Sequence, residues 1–320
     1  FRSDTTCGMT LNRFCSSGLQ SIALACENIA LGQSDAIVAG GIESMSLIPM
    51  GGHNISANPA LFANNNEHID IAYGMGITAE KVAAQWKVSR EAQDAFALQS
   101  HERAITAIKA GHFKTEITPV SVSTHTPDLH TGDIKTSSRK ISQDEGPRVD
   151  TSLATLAKLR PAFDTQGTVT AGNSSQVSDG AGACLVVSKA TLKKYNLKPL
   201  AQLRAFAIAG VPPEIMGIGP VHAIPKALKQ AGLTLKDIGW IELNEAFSAQ
   251  SLAVINELKL APALVNPLGG AIALGHPLGA TGTIRTATLL HGMRRNNIRY
   301  GMVTMCIGTG MGAAAIFEVM

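Results

Sequence analysis

Two cysteines, one histidine and one asparagine stand where their types and surroundings suit thiol chemistry. Cys15 lies in residues 12–18 (NRFCSSG), between an Asn-Arg turn and an apolar stretch that reads as a buried helix. A thiol there faces the positive end of a helix macrodipole and free backbone N–H groups, both of which favour thiolate. Its pKa is therefore expected below the free value of about 8.5. The alternative is a buried cysteine acting as a small hydrophobe, the commoner fate of a free thiol. Cys7, Cys26 and Cys184 sit in strand or helix patterns, where that alternative is preferred.

His276 lies in residues 269–282 (GGAIALGHPLGATG), of which six are glycine or proline. So much backbone freedom around one imidazole suggests a shaped turn presenting the ring to a ligand, where a group titrating near neutrality suits a general base. Its alternative is a histidine that caps a helix. Cys306 opens residues 306–314 (CIGTGMGAA) at the end of a strand pattern. The glycine spacing is GxGxG, not GxGxxG, and no acidic residue follows at the right distance, so a nucleotide loop is excluded. A second thiol acid/base with loop N–H groups as an oxyanion hole is one reading, and a strand-end cysteine beside a tight turn the other. Asn244, in residues 244–247 (NEAF), follows the strand-like WIEL. It is placed to orient a water or donate to an oxyanion, to cap the next helix, or both.

The elements that must position these groups alternate. Residues 11–32 predict a helix and 35–41 (DAIVAGG) a short buried strand. Residues 78–86 and 90–110 predict a helical pair, with Ser89 as N-cap. Residues 121–150 carry little periodicity and are expected to lie as an excursion over the core. A buried strand is expected at 181–188, a helix at 223–231 ending at Gly232, a strand at 239–243, a helix at 281–291, and strands at 303–306 and 313–319. Strands alternating with helices imply an α/β layered core. The likeness of 181–188 to 313–319 hints at two related halves.

Bulk properties narrow the functions. With 320 residues, 45% hydrophobic and 16% charged, the chain is long enough and apolar enough for a large core. A net charge of +3 argues against a nucleic-acid binder and is compatible with an anionic small molecule. Five widely spaced cysteines without a CxxC pair argue against a zinc ribbon or a disulfide framework and for a reducing compartment. No apolar run reaches the roughly 20 residues a membrane span needs. Phe1 is not an initiator, so targeting information is not legible at the start.

Taken in order, NRFCSSGLQ, GNSSQVSDGA, IMGIGP, NEAFSAQ, NPLGGAIALGHPLGATG and CIGTGMGAA resemble the motifs of thiolases across almost the whole chain. The likeness is greatest to the degradative 3-ketoacyl-CoA thiolases of fatty-acid β-oxidation. It implies an α/β fold of two related β-α-β-α-β-α-β-β halves in five α-β-α-β-α layers, with a loop domain inserted in the first half. On that plan, residues 1–45 and 178–198 form an incomplete N-terminal half. Residues 46–177 form the loop domain binding coenzyme A, and 199–320 the C-terminal half. Members of the family usually carry about one more strand-helix-strand unit before the position of Cys7, within the normal size of a domain, so an N-terminal segment is expected to be lacking.

The resemblance also implies roles. Cys15 matches the nucleophile that becomes acylated, His276 the proton acceptor that also helps hold the enolate oxygen, and Cys306 the thiol that moves the substrate's α-proton. Asn244 matches the asparagine that fixes a water in one oxyanion hole, and the backbone N–H groups of Cys15 and Gly308 would form the other. Met75, Arg148 and Ser175 match positions that contact coenzyme A. Met216, Ala246 and Phe247 match positions lining the pantetheine and acyl pocket. Short-chain members place a histidine just before the methionine that is Met75 here, and this chain has Gly74. Coenzyme A and acyl-CoA thioesters are the implied partners, with no metal, no redox cofactor, no nucleic acid and no membrane span. A homodimer or homotetramer is implied, and a partner in a β-oxidation multienzyme complex is left open. The implied compartment is the cytoplasm in a bacterium, and the peroxisome or mitochondrion in a eukaryote. Three other readings are an acetoacetyl-CoA thiolase, a decarboxylating ketoacyl synthase, and a silent thiolase-like CoA- or lipid-binding protein. The CxGxG cysteine and the GHPLG turn argue against the synthase, and retention of all three reactive residues against the silent protein.

Overall fold

The computed structural model describes residues 4–62 and 69–320. In chain order the elements are α1 (Ser17–Ala30), β1 (Ala36–Ser44), α2 (Met75–Gln85), α3 (Arg90–Lys109), β2 (Val120–Pro127), β3 (Ile134–Ile141) and α4 (Leu153–Leu156). There follow β4 (Asp179–Val187), α5 (Lys189–Tyr195), β5 (Ala201–Gly210), α6 (Gly219–Ala231), β6 (Trp240–Leu243) and α7 (Ser248–Glu257). The chain closes with α8 (Ala271–Leu274), α9 (Leu278–Arg295), β7 (Tyr300–Ile307) and β8 (Met311–Val319). Local chemistry sets several boundaries. The Ser89 side chain accepts the Ala92 N–H at the start of α3, as expected. Helix α6 stops at Gly232, whose φ of 68° suits a residue without Cβ. Helix α9 begins three residues earlier than its periodicity suggests, with Pro277 as N-cap, a position that needs no N–H of its own.

A four-stranded sheet in the order β5-β8-β7-β6 is antiparallel except for the parallel pair β6–β7. A separate antiparallel pair joins β1 to β4. A helix followed by two antiparallel strands therefore occurs twice, as α1-β1-β4 and as α9-β7-β8, with residues 45–178 inserted inside the first. The likeness of the segments at 181–188 and 313–319 reflects their equivalent places. Helices α1 and α9 lie between the two sheets, and α6 covers the other face of the larger sheet. Strand β7 is buried on both sides, which explains why it is apolar throughout except for Thr304, whose hydroxyl donates to the Ala313 carbonyl. Val303, Met305 and Ile307 join Leu19, Ile22, Leu289 and Met293 in the central layer. Met302 packs instead with Ile224, Leu228 and Val254.

The central layer holds a seam of glycines. A Cβ on Gly18 of α1 would lie 2.8 Å from the Thr283 nitrogen of α9, and one on Gly282 would collide with the backbone of Gly18 and Leu19. One on Gly41 of β1 would collide with the Gly279 carbonyl. Main chain thus meets main chain, and an added methyl would have to move a helix, typically at a cost of about 1–3 kcal/mol.

Two expectations are corrected. The segments at 35–41 and 181–188 are strands, but not fully buried ones: Val38, Ile42 and Leu185 face solvent. Only their other face packs on α1 and α9, and their apolar residues on both faces hid the difference. Residues 121–150 contain a regular hairpin, β2–β3, closed through Asp128, whose N–H donates to the Asp133 carbonyl. Nearly every residue of it is exposed, so no apolar alternation marked it. The inserted segment is also more than a cover, because α2 and α3 pack against α7 and α3 against α8.

Candidate active site

The nucleophile candidate sits on a braced elbow. Phe14–Ser16 form a single 3₁₀ turn leading into α1. Phe14 has φ 46°, in the left-handed region that a bulky residue enters only under constraint. Three bonds hold it there. The Phe14 N–H donates to Asn12 Oδ1 (2.8 Å), the Arg13 N–H to Ser17 Oγ (2.9 Å), and Arg13 Nε to Gln20 Oε1 (2.9 Å).

Cys15 is 6% exposed. Burial pushes its thiol up to about 11, and the Glu43 carboxylate adds to that, while hydrogen bonds from the Gly308 and Cys15 N–H groups pull the other way. The expected thiolate is therefore corrected: burial outweighs the helix terminus, and the resting group is a neutral thiol. Cys306, at the end of β7, is wholly buried. Burial first, and the neighbouring Cys15 second, raise its thiol well above the ordinary range.

Asn244 follows β6 directly. Its N–H donates to the Thr304 carbonyl (2.9 Å), which sets it beside β7 near Cys306. Asn244 Nδ2 lies 3.2 Å from His276 Nε2. Asn244 Oδ1, though buried, has no hydrogen-bond partner among the described residues. His276 is presented by a turn at Gly275, φ 92°. Its N–H donates to Ser178 Oγ (3.2 Å), and its Nδ1 lies 2.6 Å from Thr281 Oγ1. Burial and the Arg285 charge lower its pKa to about 3, so the ring is neutral across the working range. The loop after Cys306 carries positive φ at Thr309 (67°) and Gly310 (90°), and it aims the Gly308 N–H at the Cys15 sulfur.

The neighbouring wall is apolar. Met216, Ala246 and Phe247 cluster with Cys306, and Met75 packs against them. The Ser175 N–H donates to the Ala246 carbonyl (2.9 Å). Arg148 stands apart. It is exposed on the α3 side, its N–H donating to His101 Nδ1 (3.1 Å), and no contact ties its side chain to the cluster. Spacing alone could not reveal this, because a long side chain's direction depends on tertiary neighbours.

Sequence reasoning missed the residues behind these groups. Glu245, next to Asn244, is buried and accepts from Ser100 Oγ (2.7 Å), Asn266 Nδ2 (2.7 Å) and the Ile272 N–H (3.2 Å). It thereby ties α3 and the start of α8 to the end of β6. Arg285 faces Glu242 at 3.4 Å, also out of solvent. Thr281 had one legible signal: it lies four residues after Pro277, on the first turn of a helix that begins just beyond His276. Among the described residues no group of three or more His, Cys, Asp or Glu side chains is arranged to hold a metal, and no helix is long and apolar enough to cross a membrane.

The raised thiols carry a stability consequence. Between pH 9 and 11 the unfolded chain loses the Cys15 proton while the folded chain keeps it, so stability present below pH 9 is lost as pH rises. Cys15 alone accounts for about 2–3 kcal/mol by pH 11. Urea midpoints measured across that window should fall, and Cys15→Ala should flatten the slope. An unchanged slope in the variant would place the alkaline loss elsewhere.

Residues 3–190 match the family described as "Thiolase, N-terminal domain", and residues 197–319 match "Thiolase, C-terminal domain". The 3-ketoacyl-CoA thiolase of Bacillus subtilis (strain 168) is 54% identical over 98% of this chain and 80% of its own length. The peroxisomal 3-ketoacyl-CoA thiolase of Homo sapiens is 49% identical, over 97% of this chain and 72% of its own. Among solved structures, the dimeric peroxisomal thiolase of Saccharomyces cerevisiae is 44% identical with a TM-score of 0.83, over 97% of this chain and 75% of that one.

Proposed function

The chain belongs to the thiolase family, and from that premise we propose which atom does what in its reaction. It is an acetyl-CoA C-acyltransferase, which cleaves a 3-ketoacyl-CoA with coenzyme A to give acetyl-CoA and an acyl-CoA shortened by one acetyl unit. The observations that support the assignment of roles are two buried thiols beside each other, with the Gly308 N–H on the Cys15 sulfur, and the contact of Asn244, at the end of β6, with the His276 ring.

The Cys15 thiol attacks the 3-keto carbon as His276 takes its proton. Attack and proton loss go together, because a free thiolate is disfavoured at a site this buried. The C2–C3 bond breaks, its electron pair passes to acetyl-CoA as an enolate, and Cys306 delivers a proton to C2. Asn244 Oδ1, unpartnered in the protein, suits a water that donates to the enolate oxygen, with protonated His276 as the second donor. The Cys15 and Gly308 N–H groups support the other oxyanion, on the carbon bonded to Cys15. Coenzyme A then gives its thiol proton to the Cys306 and His276 pair, which is one proton short at Cys306, and attacks the acyl-Cys15 thioester. The released Cys15 sulfur takes back a proton from His276, so all three groups return to their starting states. This is covalent catalysis with ping-pong kinetics.

Met75, Ser175, Met216, Ala246 and Phe247 border the path to Cys306 and fit contact with pantetheine and the acyl chain. Residues 46–177 are proposed as the coenzyme A-binding insert, with Arg148 meeting coenzyme A at the exposed rim. A homodimer or homotetramer is proposed, supported by the dimeric yeast relative. By the same likeness the compartment is the cytoplasm in a bacterium, or the peroxisome or mitochondrion in a eukaryote.

The test is loss of absorbance of the Mg-chelated 3-ketoacyl-CoA on adding coenzyme A, over a series of chain lengths. Gly74, where short-chain members carry histidine, has open space at its Cβ direction, with nothing within 4 Å among the described residues. With glycine beside the adaptable Met75, longer tails are accommodated, and each extra buried methylene adds roughly 0.8 kcal/mol. We expect kcat/KM to rise several-fold per carbon beyond acetoacetyl-CoA until the pocket ends. An optimum at acetoacetyl-CoA, with decline at every longer chain, would make this an acetoacetyl-CoA thiolase instead. No CoA-dependent loss with any chain would overturn the functional reading.

A further inference from the structure

Thr281 makes a contact that the reaction scheme does not yet use. Its hydroxyl lies 2.6 Å from His276 Nδ1 and 2.9 Å from the Pro277 carbonyl, the second a bond of the kind a helical threonine makes to the residue four before it. On the far side of the imidazole, Asn244 Nδ2 lies 3.2 Å from Nε2. The Thr281 hydroxyl spends its one proton on the Pro277 carbonyl, so toward Nδ1 it can only accept and Nδ1 carries the ring's proton; the Asn244 amide nitrogen facing Nε2 agrees with this. That proton needs an acceptor, and the Thr281 oxygen supplies one while its own proton goes to Pro277. The four groups form one directional chain: Asn244 N–H to Nε2, Nδ1–H to Thr281, Thr281 O–H to the Pro277 carbonyl. All four residues are buried.

We infer that Thr281 is a positioning residue that holds His276 in the Nδ1–H tautomer, so that the ring's lone pair sits on Nε2, where the proton of the attacking thiol displaces the Asn244 N–H. The inference deepens the role proposed for His276 and rests on it. Once Nε2 has taken that proton, the same Nε2–H becomes the donor that the enolate oxygen needs, so one nitrogen serves both steps without the ring turning. Thr281 itself touches no reacting atom.

Two measurements test this on the full chain. The first is ¹⁵N NMR of the histidine-labelled protein, with His276 assigned by its loss in His276→Gln. Protonated Nδ1 and unprotonated Nε2 in the wild type are expected, and the reverse would overturn the inference whatever the activity. The second is acylation of Cys15 by acetyl-CoA in a single turnover. Thr281→Val, which keeps the shape and removes the hydroxyl, should slow acylation by about 10- to 100-fold with little change in KM, in keeping with the loss of a partner that orients a histidine. Thr281→Ser should restore the rate to within a few-fold. Equal acylation rates for Thr281→Val and wild type would overturn the inference. So would a Thr281→Ser variant that folds yet is as slow as Thr281→Val. A wild type that never acylates Cys15 would sink the proposed function while the NMR result still decides the tautomer.

Discussion

Cys15→Ala should abolish acyl transfer, lowering kcat by at least about 10⁴-fold, the scale seen when a covalent nucleophile is removed. The variant keeps the elbow, because the bonds that brace Phe14 and Arg13 come from Asn12, Ser17 and Gln20 and not from the thiol. Folding should therefore survive, and circular dichroism with a thermal melt will separate lost chemistry from lost structure. After incubation with acetyl-CoA, mass spectrometry should place one acetyl group on Cys15 of the wild type and none on the variant. An acetyl adduct on Cys306 or Cys26, with Cys15 free, would reassign the nucleophile.

Cys306→Ala gives the second large effect, and it differs in kind. Acylation of Cys15 by acetyl-CoA moves no proton at C2, so the variant should still acquire the acetyl group. Solvent exchange at the C2 hydrogens and condensation both require that proton, and they should fall by about 10²–10⁴-fold. The thiol is wholly buried against Met216, Ala246 and Phe247, so alanine leaves a small void and a modest stability loss. Near wild-type turnover would reduce Cys306 to a packing residue.

The parts legible in the sequence were those fixed by local chemistry. Ser89 and Gly232 marked helix ends because capping involves only near neighbours in the chain. Cys15, His276 and Cys306 stood out as candidates because each is set in a turn whose glycines, prolines or polar residues announce special backbone, while their roles came from the resemblance alone. The parts not legible depend on what surrounds a group in space. The Cys15 thiol was expected to be acidic from its place at a helix start, yet burial decides its state, and no pattern in residues 12–18 records how much is packed over it. Hairpin β2–β3 was hidden for the opposite reason: with no core behind it, polar residues serve on both faces. Glu245 and Thr281 were missed because neither type is unusual in its local setting. Their importance comes from Ser100 and Asn266 in one case and His276 in the other, all brought in by the fold.

The glycine seam between α1, α9 and β1 has a consequence for motion. The helix that begins just after Cys15 meets the helix that begins just after His276 at Gly18 and Gly282, where main chain lies against main chain. At that point no side chain can change rotamer to part the two backbones, so the helices that carry the nucleophile and the base approach each other at a distance set by peptide geometry. Adjustment to an incoming acyl-CoA is therefore expected on the opposite side, along the Met75 and Phe247 wall, which is built of side chains. Turnover limited by conformational change would then respond to substitutions in α2 and be deaf to those in α1.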